Sequence, residues 1–214
     1  MAVRRAEPFQ IALLALRDRL RDGAYPPGAR IAATEVADDL GLSATPVREA
    51  LSRLAGEGLL EDRRGQGAFV RALSGSDVAD LYRLSLAHLL IAQDPHRQHL
   101  GRRAAPPDAG SADPVRAVER LFADWVAEGA GRLLTSAHRV LQVQLGPVRR
   151  VEALIIPDLA VEALALEALR PGEASAERLH RLRQFHARRV RLADRLAAAL
   201  ERGGGRSENS ADIV

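Results

Sequence analysis

The sequence predicts a mostly α-helical protein in two parts: three short helices and a β-hairpin, then an all-helical bundle. Three observations carry that expectation. Apolar residues recur at intervals of three and four along most of the 214 residues. Two short runs, Leu59–Asp62 and Ala68–Val70, flank the Gly-rich stretch Arg63-Arg64-Gly65-Gln66-Gly67, which is the pattern of a hairpin. After Ser74 the pattern returns to helical spacing and no further strand signature follows.

Taken in order, Phe9, Ala12, Leu13, Leu16 and Leu20 mark a helix from Pro8 to Asp22, which Gly23 stops. Tyr25-Pro26-Pro27-Gly28 is turn chemistry, and Arg30-Ile31 suits a very short strand. Thr34 is an expected N-cap for a second helix through Leu40, with Gly41 in the left-handed position after it. Ser43 is the expected cap of a third helix. Pro46 falls in its first turn, where a missing N–H costs little. Within this helix Val47, Leu51 and Leu54 share one face, while Thr45, Arg48 and Ser52 share another. Gly56 and Gly58 end it ahead of the hairpin.

Ser74 is placed to cap a fourth helix, Asp77–Ala92. From Gln93 to Pro114 prolines and glycines crowd polar residues, so 93–114 is expected to be a flexible loop. Helices are expected over Val115–Glu128 and Arg132–Leu145, with Pro147 breaking or kinking the path to Val148–Ile156. Leu159–Leu169 and Ser175–Arg202 complete the set, and 203–214 is expected to be a disordered tail. The boundaries follow: 1–72 for the hairpin-bearing domain and 73–202 for the helical domain.

Composition narrows the function classes. Apolar residues at 47% describe a globular chain, not a disordered one. The formal net charge is only +3, and all 31 basic residues are Arg. Net charge alone therefore does not argue for nucleic acid. There is no Cys, so disulfides and thiolate metal sites are excluded. Charges at Arg17, Asp18 and Arg19 interrupt the apolar amino-terminal stretch, and no run of 18 apolar residues exists. A soluble cytoplasmic chain without membrane partners is expected. An enzyme is not: no Ser-His-Asp order, phosphate-cradling Gly loop or paired carboxylates stand in a supporting context.

Two helices joined by a tight turn at Gly41 and followed by a hairpin form a winged helix-turn-helix. Such a fold reads the major groove with the amino-terminal residues of its second helix, which must be small or hydrogen-bonding for the backbone to approach base edges. Ser43, Thr45 and Arg48 meet that need, with Ser52 further along the same face. The wing would lay Arg63, Arg64, Gln66 and Gly67 along the DNA backbone or minor groove. Residues 1–72 carry 11 Arg against 10 acidic groups, a net of +1, so attraction must come from arrangement.

The segment EVADDLGLSATPVREALSRLAGEGLLEDRRGQGAFV, with TPVREAL followed by L-x-x-x-G-L and a Gly-x-Gly wing, resembles the GntR family of bacterial transcription regulators. The resemblance covers about residues 9–71. It implies a homodimer on a short palindromic operator, repressing or activating. Ser43, Thr45, Pro46, Arg48 and Glu49 match the family's recognition-helix motif, and Gly67 matches its wing glycine. The family often places Arg directly before Thr-Pro; here that position is Ala44. Loss of one bidentate contact is worth roughly 1–3 kcal/mol.

SGSDVADLYRLSLAHLLIAQ is similar to the first sensor helix of the fatty-acid-regulator-like (FCD-type) subfamily, and the later helices resemble that sensor more weakly. The resemblance implies a divalent metal held by one carboxylate and three histidines. Glu119 and Ala123 stand where Asp and His are expected, Glu162-Ala163 lacks the next His, and His186 alone falls near a ligand position. No metal or other cofactor is therefore expected. His138 and His180 are further helical candidates, whereas His88, His96 and His99 fall outside the bundle pattern or in the loop. A small-molecule effector remains in view, with Arg139, Gln142, Arg149 and His186 as its candidate contacts and Arg150 beside them. Arg149-Arg150 reads more simply as a solvated or interface pair. The last helix, with Arg178, Arg181, Arg183, Arg188, Arg189, Arg191 and Arg195 spread around it, reads as a surface or dimer helix.

The leading expectation is a dimeric DNA-binding regulator modulated by a small ligand. The alternative is a helical ligand-binding or interaction module whose winged helix does not bind DNA. Ala44 and the near-neutral first domain favour that alternative.

Overall fold

A computed structural model describes residues 7–93, 113–169 and 176–205. The expected loop, with His96 and His99, and the tail beyond Gly205 lie outside the described residues. The chain divides into two compact units, Met1–Leu73 with Leu200–Val214, and Ser74–Ala199.

In the first unit α1 spans Pro8–Arg21, with Pro8 at its start, where no N–H is required. β1 is Arg30–Ile31, α2 is Ala33–Leu40 and α3 is Ala44–Gly56. β2 (Leu60–Arg63) and β3 (Gly67–Val70) form the hairpin, and β1 joins as a third antiparallel strand in the order β1-β3-β2. α3 packs on α1, α2 and the hairpin strands. Its Val47, Ala50, Leu51 and Leu54 are buried, as are Leu13, Leu16 and Leu20 of α1. This is the apolar stripe the periodicity predicts. Gly41 has φ 63°, and Leu42 N–H bonds the Ala37 carbonyl at 2.9 Å, closing α2 so tightly that only three residues separate it from α3.

Two caps differ from expectation. α2 begins at Ala33 with Ala32 as N-cap, so Thr34 lies inside the first turn and does not cap. Ser43 is the N-cap of α3 but its hydroxyl makes no capping bond.

The second unit, with the end of α9, is entirely helical among the described residues: α4 (Gly75–Ala92), α5 (Pro114–Gly129), α6 (Arg132–Glu152), α7 (Leu159–Glu167), α8 (Ala176–Arg191) and α9 (Ala193–Gly205). Ser74 and Asp77 form a capping box on α4: Asp77 N–H donates to Ser74 Oγ at 3.2 Å and Ser74 N–H to Asp77 Oδ2 at 2.9 Å. Phe122, Trp125 and Val126 of α5 form the core with Leu89, Ala163, Leu166, Leu182 and Phe185. α5 meets α4 so closely that a Cβ on Gly129 would lie 1.8 Å from the Ala92 carbonyl oxygen.

Three helix boundaries correct the sequence-based expectation. α6 runs unbroken through Pro147. The proline removes one backbone bond, but Leu145, Gly146 and Val148 are buried around it, and that packing holds the helix. The expected helix from 175 onward is two, parted at Leu192, whose N–H is shared between the Arg188 (3.2 Å) and Arg189 (3.1 Å) carbonyls. α9 continues through Gly203, Gly204 and Gly205, which by residue type belong to the tail. No helix among the described residues is long and apolar enough to cross a membrane.

Candidate nucleic-acid interface and the polar interior of the helical unit

The amino end of α3 presents an exposed polar face. Ser43, Thr45, Arg48 and Ser52 are exposed, as are Thr34 on α2 and Glu49; Ala44 and Pro46 are half-buried. The buried Val47, Leu51 and Leu54 turn that face outward. α3 has no acidic residue in its first turn and no side-chain cap, so its first N–H groups keep their capacity to donate to an anion. Arg48 makes no ion pair among the described residues.

At the wing, Arg63, Arg64, Gly65, Gln66 and Gly67 are all exposed. Gly65 (φ 72°) and Gly67 (φ 102°) hold left-handed backbone that a side chain would strain. Arg63 is engaged within the sheet: it pairs with Glu61 at 3.1 Å and lies 4.2 Å over the Phe69 ring. Arg64 is unpaired among the described residues.

The register adds a residue that sequence reasoning missed. Arg30 pairs across from Phe69, and Phe69 from Glu61, so Arg30, Phe69 and Glu61 share the exposed sheet face with Arg63 and Gly67. The Arg30 guanidinium lies beside the wing glycine, its Nε 3.5 Å from where a Gly67 Cβ would be. The only sequence signal is Arg30-Ile31 as a strand, and spacing does not say which strand it joins.

The second unit holds a chain of buried polar groups. Tyr82 donates to Glu152, and Glu152 accepts from Arg189 at 2.9 and 2.7 Å. Arg189 also lies 2.8 Å from Glu162 and 3.3 Å over the Phe185 ring. Burial and Glu152 push the Tyr82 hydroxyl well above the usual phenol range. Nearby, Gln142 meets His138 Nε2 at 2.7 Å and accepts from Arg149, which lies 4.0 Å from Glu119. Glu119 is held at 2.9 Å by Arg150, which also reaches Asp113. His186 bonds the Leu182 carbonyl through Nδ1 (2.7 Å) and Ser85 through Nε2 (3.1 Å), and stacks on Phe122. Desolvation by burial, reinforced by the Arg149 charge, lowers both His138 and His186 to about 3, so both are neutral.

Five expectations change here. Arg149 is buried rather than solvated, and Arg139 is exposed and does not join Gln142, Arg149 and His186. Arg178 and Arg189 are buried, so α8 is not merely a surface helix: Arg178 donates to Gln93 at 2.7 Å and lies 5.0 Å over Trp125. His88 belongs to the bundle, its ring 5.6 Å from that of His138. His180 is exposed.

The donor set does not fit a divalent metal. Ala123 and Ala163 offer no donor, Glu119 is bound to Arg150, Glu162 to Arg189, and both ring nitrogens of His186 have protein partners. A guanidinium, Arg149, stands among them.

Against known proteins, the family described as bacterial regulatory proteins, gntR family, matches residues 11–70. A probable D-xylose utilization operon transcriptional repressor from Paenarthrobacter nicotinovorans is 36% identical over 118 residues, 55% of this chain and 48% of the relative. An uncharacterized HTH-type transcriptional regulator from Agrobacterium vitis is 38% identical over 73 residues, 34% of this chain and 43% of the relative. The chain thus matches less than half the length of these curated relatives. The solved structure of Escherichia coli McbR/YncC superposes with a TM-score of 0.61 at 19% identity, covering 88% of this chain and 98% of that one, a likeness of fold. With the exposed α3 face and the hairpin in place, residues 11–70 are a GntR-family helix-turn-helix domain, and the family and relatives it matches are transcription regulators, not enzymes.

Proposed function

We propose that this protein is a dimeric transcription regulator that binds a short palindromic operator through the amino end of α3 and the wing, with affinity set by a small ligand in the helical unit. The observation that carries the reading is the α3 face: Thr45, Arg48 and Ser52 stand exposed on one stripe, and Arg48 has no protein counter-charge to satisfy it among the described residues. In the major groove Arg48 forks onto a guanine edge or clamps a phosphate, while Ser43 and Thr45 let the backbone come close. Arg64, Gln66 and the Gly67 backbone follow the neighbouring phosphates or minor groove, with Thr34 and Ala44 at the margins. Arg63 joins them by exchanging Glu61 for phosphate.

A second copy is supported by α4, whose Leu84, Ala87 and Ile91 are exposed at spacings of three and four. The buried polar cluster around Gln142, Arg149 and His186 supports a ligand site. A ligand there acts by favouring one arrangement of the dimer over another. The Paenarthrobacter relative, a probable repressor, supports repression as the direction of control.

Selection of duplexes from a randomised DNA pool by the full chain tests this. The expected outcome is an inverted repeat, with Arg48→Ala costing about 10- to 100-fold in affinity for it. Failure of the wild-type chain to enrich any sequence would overturn the reading. It would leave the interaction-module alternative that Ala44 favours.

A further inference from the structure

The helical unit holds a buried guanidinium whose carboxylate-binding edge is empty of partners among the described residues. Arg149 is 1% exposed. Its Nη1 donates to Gln142 Oε1, while Nε and Nη2 have no hydrogen-bond partner. Those two nitrogens lie on one side of the planar group and form the fork that takes both oxygens of a carboxylate. Buried charged N–H groups are costly to leave unbonded, so two on one edge call for a bound group to explain them.

The neighbouring carboxylates are engaged elsewhere. Glu119 is committed to Arg150, and Glu152 and Glu162 to Arg189. His138 and His186 are neutral. Arg149 has no carboxylate within hydrogen-bonding distance among the described residues; Glu119 Oε1 stands 4.0 Å from its Nη1, on the edge away from Nε. His138 Nδ1, from the same helix, is also buried and unpartnered. The Phe122 ring centroid is 5.9 Å from the guanidinium carbon, supplying an apolar wall.

We propose that Arg149 is a resident cation in place of the divalent metal that the sensor resemblance implies, and that its Nε–Nη2 edge binds the carboxylate of a small monoanion. A metal ion and a buried guanidinium repel one another, so the two arrangements are mutually exclusive. The proposal rests on the helical unit being the ligand-binding half of the protein, and it names the ligand class.

The test is thermal unfolding of the full chain followed by Trp125, the single tryptophan, which reports the helical core. Sodium propionate and sodium benzoate are the probes, with sodium chloride at equal ionic strength and zinc or manganese chloride as controls. At a hundredfold excess over Kd the carboxylate raises Tm by about 5 °C. Chloride and the metals do not. Arg149→Gln abolishes the rise. Gln142→Glu, which supplies a carboxylate from the chain itself beside the guanidinium, also abolishes it and stays folded. The proposal is overturned if neither probe raises Tm at up to about 100 mM, if the rise survives in both variants, or if zinc or manganese binds stoichiometrically. DNA selection is read separately. A carboxylate effect through Arg149 in a chain that selects no DNA leaves this site standing and removes the regulator reading; the reverse result does the opposite.

Discussion

Acidification tests the buried histidines directly. His138 and His186 are each nearly inaccessible and held at about 3, chiefly by burial, against about 6.5 for a free imidazole. The folded state therefore binds fewer protons than the unfolded chain over the whole window from 6.5 to 3. Stability is fully present above pH 6.5 and is lost as pH falls toward 3. Between pH 7 and 5 the unfolded imidazole gains most of its proton while the folded one gains almost none, which costs about 2 kcal/mol per histidine, or about 4 kcal/mol for the pair. That is a large part of a typical domain stability. The assay is urea unfolding at pH 7, 6 and 5, read by Trp125 fluorescence so that only the helical unit is reported. His138→Gln should remove about half of the loss. A change below about 1 kcal/mol across this range would refute the reasoning, because the histidines would then be charged or hydrated in the folded protein.

Two further outcomes follow from the geometry. Arg189→Met strands the buried Glu152 carboxylate, while the half-buried Glu162 keeps Arg188, and should cost about 3–5 kcal/mol in the same urea assay, whereas Arg188→Met, which frees the exposed Asp158, should change it far less. Arg30→Ala should weaken DNA binding about equally on all sequences and make the salt dependence shallower by about one unit of slope per lost phosphate contact, measured by fluorescence anisotropy at several salt concentrations.

The first unit is legible in the sequence because its signals are local. Gly41, Pro46 and the Gly-x-Gly wing each impose a backbone conformation on their own neighbours, and the helix faces follow from spacing. The caps are less so: Ser43 sits at the right position, yet whether its hydroxyl turns inward depends on a rotamer, not on residue type. The second unit is harder. Pro147 breaks a helix by propensity, and only the buried residues on either side overcome that tendency. The break at Leu192 has neither Gly nor Pro to announce it. Above all, Arg149, Arg178 and Arg189 look like surface residues by type. Their burial depends on Gln142, Gln93, Glu152 and Glu162, which come from up to 85 positions away. Periodicity cannot supply such pairings.

The near-neutral first domain illustrates why placement outweighs sum. Half of its acidic groups are spent on particular arginines: Glu57 holds Arg17 and Arg53, Asp39 holds Arg19, Asp18 and Asp22 flank Arg21, and Glu61 holds Arg63. Arg48 on α3, Arg64 at the wing tip and Arg30 beside Gly67 are outside those pairs among the described residues. These three guanidiniums stand on the elements that would face a duplex, with Glu49 and Asp62 exposed on the same elements, while α1 is neutralised within the fold. An anion approaching α3 and the wing meets guanidiniums that need not first give up a carboxylate. Affinity then depends on how many such groups reach phosphate, and a net of +1 is no obstacle to it.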